Sequence, residues 1–207
     1  TYNKILQQRN SFLKAAAESG RLNEDLLKIF NEQLTTPGNY IFEKRSHFLV
    51  SFLPRVKRLY SDIAQKEEDL SILYDSKLFD ISFEALLEST RDKDLQLQRT
   101  TAGIHRDDIL FQLSNQPFKN IASQGQRKSL LFALKITELD VITEEKKLSP
   151  ILLLDDVFEK LDESRITSLL EKVCIMNQGQ VFITDTNEER LRSHLEKIKA
   201  EYEIITL

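Results

Sequence analysis

Ile151-Leu152-Leu153-Leu154-Asp155-Asp156 is the stretch on which the reading of this chain turns. Four consecutive apolar residues follow Pro150 and end in two carboxylates. A short apolar run without alternation is the pattern of a strand buried on both faces, as in a parallel sheet. The flanking segments alternate in type. Arg127 to about Glu145 carries Leu130, Leu131, Leu134, Ile136 and Leu139 as a helix, and a second helix is expected from Glu163 to Met176. Val181-Phe182-Ile183-Thr184 reads as a strand, Asn187 to Ala200 as a helix, and Tyr202 to Thr206 as a closing strand. Strand–helix–strand–helix–strand is the order of a parallel α/β sheet. Further upstream, Ser71-Ile72-Leu73-Tyr74 and Ile109-Leu110-Phe111-Gln112-Leu113 read as two more strands.

Residues 1–70 have a different period. Ile5, Leu6, Phe12, Leu13 and Ala16 recur at helical spacing until Gly20 breaks the run. Leu22, Leu26, Leu27, Ile29, Phe30 and Leu34 outline a second helix, ended by Pro37-Gly38. A third is expected from Ile41 to Ala64, kinked or broken at Pro54. The chain therefore divides, on sequence, into an all-helical arm subdomain at 1–70 and an α/β part at 71–207.

Of the 207 residues 41% are hydrophobic and 30% charged, the balance of a soluble globular protein. No apolar run approaches the ~20 residues of a membrane span, and the start has no signal-peptide core. The chain begins at Thr1 rather than Met, which fits a fragment or a trimmed chain. Cys174 is the single cysteine, so no disulfide forms within the chain, and its spacing places it on a helix core face. A cytoplasmic location is expected. A net charge of −4 is not the overall signature of a nucleic-acid binder. Lys44, Arg45, Arg55, Lys57 and Arg58 form the most basic stretch, readable either as a phosphate-tracking patch or as a solvated helix face.

A parallel sheet offers ligand sites beyond the carboxyl ends of its strands. There Asp155 can hold Mg²⁺, a hard cation that prefers oxygen, and Asp156 can orient or deprotonate water. The plainer alternative is that both acids only end the strand. Dehalogenase-type phosphatases need Asp-x-Asp here, and Val157 takes the second position. A phospho-receiver reading rests only on Asp185 after the later strand. Upstream, Ser123-Gln124-Gly125-Gln126 opens the long helix: a hydroxyl, a glycine and a helix N-terminus suit an anion such as phosphate, and equally suit an N-cap and turn. His105 and Arg106 read either as phosphate or DNA contacts, or as a turn with the arginine paired to Asp107 or Asp108. His47 and His194 fall on polar faces and are expected in solvent. Thr184 holds a water or caps, and Thr186-Asn187-Glu188-Glu189 is a helix N-terminal box.

In order, Ser-x-Gly-Gln, a helix, an apolar strand ending in Asp-Asp, and Leu161-Asp162 resemble the signature motif, Walker B strand and D-loop of ABC ATPases. Gln124 replaces the usual first glycine, and Asp156 the usual catalytic glutamate. With Gly103-Ile104-His105-Arg106-Asp107-Asp108, and with Gln8-Arg9-Asn10 near the start, the chain resembles the RecF-like branch of the ABC/SMC-type ATPases over essentially its whole length. Ile104 departs from that pattern, where a proline is usual. The resemblance implies the C-terminal part of an ATPase head plus a helical arm, with the Walker A loop supplied by a longer parent. It further implies ATP and Mg²⁺ as cofactors, with Asp155 the metal ligand and Asp156 the catalytic residue. Ser123, Gln124, Gly125 and Gln126 would bind a partner subunit's nucleotide in trans, with Asp162 at the seam of an ATP-dependent homodimer. Implied partners are single-stranded and junction DNA and RecR-like and RecO-like mediators, with no membrane. The other reading that stands is a non-catalytic module whose helical arm docks such mediators, or another SMC-like repair ATPase.

Overall fold

The computed structural model describes residues 1–155, 158–159, 161–175 and 179–205. Helix α1 (Tyr2–Ser19) stops where the sequence requires, with Gly20 in the left-handed conformation (φ 65°, ψ 15°). Helix α2 (Glu24–Ala64) departs from expectation: it is one continuous helix of 41 residues that runs through Pro37-Gly38 and Pro54, where two helices were expected. A proline inside a helix strips a hydrogen bond from the carbonyl four residues earlier. Those carbonyls belong to Gln33 and Val50, both exposed, so water can replace the lost donor.

Gly38 has a packing reason to sit inside α2. A Cβ built there would lie 2.0 Å from Cε1 of Phe83, so the missing side chain is the space the ring occupies. Gly103 meets the same ring. It holds φ +122°, and a Cβ there would fall 2.7 Å from Phe83 Cζ and 3.1 Å from the Tyr2 hydroxyl.

Strands β1 (Leu70–Asp75), β2 (Asp108–Leu113) and β3 (Gln116–Pro117) form a sheet in that order. β2 and β3 are antiparallel, and the two residues that join them, Ser114 and Asn115, both have positive φ (50° and 60°), as a tight hairpin turn demands. Helices α3 (Phe83–Ser89) and α4 (Arg91–Leu97) lie between β1 and β2 in sequence. After α5 (Phe118–Ile121) and α6 (Gln124–Lys146), strand β4 (Leu152–Asp155) passes through α7 (Glu163–Leu170) to β5 (Val181–Thr184), followed by α8 (Glu188–Lys197). β4 and β5 are parallel, with Leu152 opposite Val181 and Asp155 opposite Thr184.

Two expectations are corrected here, and a third holds with a change of pitch. β4 is not buried on both faces: Leu154 is buried, but Leu153 is 72% exposed, and Phe182 opposite it 46%. Among the described residues β4 has one paired neighbour, and that face of the pair is left partly open. The helix expected at Glu163–Met176 is α7 plus a wider π turn at Glu171–Ile175, while Met176 lies outside the described residues. The closing strand is absent from residues 201–205, which find no ladder partner among the described residues; Thr206 lies outside them.

Two compact units emerge, both discontinuous in sequence: Thr1–Ser51 with Leu73–Leu110, and Phe52–Ile72 with Phe111–Leu207. In the first, Tyr2, Leu34, Phe83, Leu86, Leu87, Ala102 and Ile104 form the core. Beside it the fully buried Arg9 pairs with Asp94 at 2.7 Å and also donates to Thr100 and Asn31. In the second, Val56, Tyr60, Ile63, Leu70, Ala133, Leu169 and Leu170 are buried, and Tyr60 meets Phe118 edge to face. Among the described residues no helix is long and apolar enough to cross a membrane.

Phe83 gives a prediction with an unusual sign. Alanine for glycine inside a helix normally stabilises by about 1 kcal/mol. At Gly38 the new methyl must displace a buried ring, and overpacking of this kind costs about 1–3 kcal/mol. Gly38→Ala should therefore lower the urea midpoint; a raised midpoint would contradict the packing described.

Candidate functional site

Ser123 caps α6. Its Oγ accepts from the Gln126 N–H at 3.2 Å, and its own N–H donates to Gln126 Oε1 at 2.8 Å, the reciprocal pair of a capping box. The plain reading of this turn is thus correct as structure. It does not close the turn to ligands, because Ser123 and Gln124 are exposed and a first helical turn leaves N–H groups unpaired within the helix. Gln126 is more anchored than the sequence suggested: its Nε2 donates to Glu68 Oε2 at 2.8 Å.

Glu68 gathers much of the surrounding polarity. Its carboxylate also accepts from the Tyr60 hydroxyl, from Arg165 Nη2 at 2.8 Å and from Lys66 Nζ at 3.1 Å. Burial alone would raise its pKa. The hydrogen bonds from Tyr60, Lys66 and Gln126, with the charge of Arg165, outweigh burial and hold it below the usual carboxylate range. Arg165 is 5% exposed. Besides Glu68 it donates to Ser129 Oγ at 2.7 Å and to Asp162 Oδ2 at 3.2 Å. Asp162 caps α7 through Oδ1, which accepts from the Arg165 N–H at 2.9 Å and the Ser164 hydroxyl at 2.6 Å; these bonds, Ser164 first, depress its pKa. Ser123, Gln126, Glu68, Arg165 and Asp162 form one connected chain of hydrogen bonds.

At the strand ends, Thr184 Oγ1 donates to Asp155 Oδ1, and both side chains are exposed. Carboxylate and hydroxyl oxygens are the donor set that Mg²⁺ prefers, so these residues fit such an ion. Among the described residues no three His, Cys, Asp or Glu side chains gather as a metal site. Asp156, the expected catalytic residue, lies outside the described residues. Lys128 of α6 reaches the Glu159 carbonyl at 3.0 Å, tying that helix to the turn after β4. Asp185 is a turn residue: its buried carboxylate receives Arg190 at 2.7 Å and the Asn187 N–H at 2.6 Å. Asn187 caps α8, as the helix N-terminal box predicts.

Two further residues resolve here. His194 is not in solvent; it is 9% exposed and stacks on Phe158 with ring centroids 5.2 Å apart and an interplanar angle of 8°. Its predicted polar face is covered because Phe158, in the loop after β4, folds onto it. Burial pushes the Cys174 thiol up to about 11, which disfavours the reactive thiolate.

The Gly103–Asp108 block belongs to the other compact unit. His105 Nε2 lies 3.3 Å from the Thr100 carbonyl, which can only accept, so Nε2 carries the proton. Nδ1 then accepts from the Tyr2 hydroxyl at 3.0 Å. Burial lowers the imidazole pKa, which favours this neutral, structural state over a phosphate contact. The alternative that pairs Arg106 with Asp107 or Asp108 is not met at Asp107, which accepts from Tyr74 at 2.5 Å and faces Arg45 at 3.7 Å. Arg106 is exposed and lines a cleft of about 120 Å³ with Lys77, Thr101 and Asp107. Of the basic stretch, Arg45 is committed to the Ile104 carbonyl and Arg55 to Glu144.

Sequence reasoning missed Glu68 and Arg165. Glu68 hides in the charged run Lys66-Glu67-Glu68-Asp69, and the one available signal for Arg165 was its place three residues after the helix-capping Asp162.

No protein-family model matches the chain. It is 39% identical over 206 residues to the "DNA replication and repair protein RecF" of Flavobacterium johnsoniae, covering 100% of this chain and 57% of the relative. It is 40% identical to the protein of the same name from Azobacteroides pseudotrichonymphae, covering 98% of this chain and 55% of that one. The chain thus spans about half the length of the curated relatives it matches. A solved "Structure of the recombination mediator protein RecF-ATP in RecFOR pathway" superposes with a TM-score of 0.75 at 32% identity, over 90% of this chain and 51% of that one.

Two neutral histidines, His194 buried and His105 half-buried, predict a pH dependence. Unfolded histidine binds its proton near pH ~6.5, while folded His105 and His194 bind theirs only at lower pH. The unfolded state therefore binds more protons as pH falls through that value, and stability drops. Denaturant midpoints should fall from pH 8 to pH 5, and His105→Gln should reduce that slope. An unchanged slope in the variant would contradict the neutral assignment.

Proposed function

The chain is a RecF relative along its whole length, and on that footing we propose that it is the C-terminal portion of an ATP-dependent DNA-binding protein of recombinational repair and replication restart. On this reading residues 1–70 act as a helical arm and 71–207 as the second half of an ATPase head. One observation supports it most: oxygen donors stand exposed at two chemically distinct places within one compact unit. Asp155 and Thr184 lie at the carboxyl ends of two parallel strands, where α/β sheets bind ligands, and Ser123 opens a helix. No Gly-x-x-x-x-Gly-Lys loop occurs in this sequence, so the nucleotide's phosphates would be cradled by a more N-terminal part of the parent.

Asp155, with the Thr184 hydroxyl beside it, would hold Mg²⁺. When bound, the ion neutralises charge on the nucleotide's phosphates. Asp156 would orient the attacking water, and a carboxylate shorter than glutamate there implies slow turnover. Ser123, Gln124, Gly125 and Gln126 would meet the γ-phosphate of the nucleotide held by a second subunit, with Asp162 at the seam. Nucleotide that touches both subunits stabilises only the dimer, by simple linkage. Loading then closes a clamp on DNA and hydrolysis opens it. Arg106, exposed where His105 is not, is the residue of its block suited to a phosphate or DNA contact. Single-stranded and junction DNA, and RecR-like and RecO-like mediators, are the partners this reading assigns to the whole protein.

In the full-length parent, Ser123→Arg should abolish ATP-dependent dimerisation, followed by sedimentation velocity, while the monomer still folds cooperatively with a midpoint lowered only by the loss of one N-cap, about 1 kcal/mol. Normal dimerisation of that variant would overturn the assignment of the turn. The isolated chain should not turn over ATP, and turnover by it alone would contradict the half-site.

A further inference from the structure

Glu68 belongs to none of the motifs that mark the site, yet two of them end on it. Its Oε2 accepts from Gln126, which in turn holds the Ser123 N–H. Its Oε1 accepts from Arg165, which in turn holds Asp162. Tyr60 and Lys66 take the remaining directions. All four partners are donors, and the side chain is 7% exposed. Only an ionised carboxylate offers that many acceptor directions; an amide of the same shape would turn an N–H₂ against two donors. Arg165 is as constrained, because its other nitrogens are spent on Ser129 and Asp162.

We propose that Glu68 is a positioning residue that sets the Ser123 turn and Asp162 together, so that a second subunit's nucleotide engages both or neither. The proposal rests on the function argued above. It adds a residue that touches no ligand, and a reason for the two turns to act as one. The linkage runs through side chains with no slack: each intermediate, Gln126 and Arg165, has one end on Glu68 and the other on the turn it holds. A shift of either turn therefore disturbs the same carboxylate.

The test uses the full-length parent, with three readouts: ATP-dependent dimerisation, ATP binding by the monomer, and thermal unfolding. Glu68→Gln should weaken ATP-dependent dimerisation by roughly tenfold or more, within the range of coupled networks, while monomer ATP binding stays within about twofold. Glu68→Asp keeps the charge but draws it back by one methylene, out of simultaneous reach of Gln126 and Arg165. It should show the same split, and it serves if Glu68→Gln fails to fold. Lys135→Ala removes an exposed side chain of α6 that pairs with Glu138 and touches no member of this network, and it should behave as wild type. Because Glu68→Gln and Asp162→Ala break the same path, their combined loss should be smaller than the product of the separate losses. If folded Glu68→Gln and Glu68→Asp dimerise normally, or if the losses multiply, the positioning role is wrong while the nucleotide site stands. If the wild-type parent does not dimerise with ATP at all, the function reading itself fails and takes the proposal with it.

Discussion

Arg165 and Glu68 meet at 2.8 Å with both side chains 7% exposed, and the polar geometry of the second compact unit is arranged around them. Burying such a pair is expensive, and mutual attraction repays the cost only when the remaining donors and acceptors are also satisfied. Here they are, by Ser129, Asp162, Gln126, Tyr60 and Lys66. Removing one member would strand the other, a loss of about 3–5 kcal/mol for buried pairs of this kind. The same bonds fix the openings of α6 and α7, so what stabilises the unit also orients the Ser123 and Asp162 turns.

The first compact unit is organised differently, by shape and by one buried cation. Phe83 occupies space left by two glycines, and Tyr2 stacks beside it while donating to His105. Arg9, fully buried, is held by Asp94, Thr100 and Asn31, and Asn10 accepts from both the N–H and hydroxyl of Thr100. The Gln8-Arg9-Asn10 stretch thus works as the fastener of α1, and the Gly103–Asp107 block as the seat of Phe83. In the sequence the first carried only a family resemblance; in the structure Arg9, Asn10, Gly103 and His105 serve packing and hydrogen bonding within this unit.

Local signals were legible and long-range ones were not. The parallel pair β4–β5, the Gly20 stop and the caps at Ser123 and Asn187 follow from apolar runs and short polar side chains whose partners lie within a few residues. Helix α2 was misread because proline and glycine are judged by local preference, whereas its continuity rests on exposed carbonyls and on a ring far away in sequence. α3 and α4 escaped notice because seven residues each is too short for a period to show. Leu153 looked like core because an apolar run does not say which layers cover it. Glu68 could not be found at all, since a carboxylate in a charged run looks solvated until its donors are brought to it by the fold.

On the proposed function each subunit contributes half of a nucleotide site, its strand-end acids serving its own nucleotide and its Ser123 turn serving its partner's. Mixing two inactive full-length variants tests this most directly. One carries Ser123→Arg with its acids intact, the other Asp155→Ala with its turn intact. A site shared between subunits predicts that an equal mixture regains ATP turnover, about a quarter of the wild-type rate, because roughly half of the dimers are mixed and each of these assembles one complete site of two. If the mixture shows no more turnover than the two variants measured apart, both halves serve the same subunit and the account is wrong.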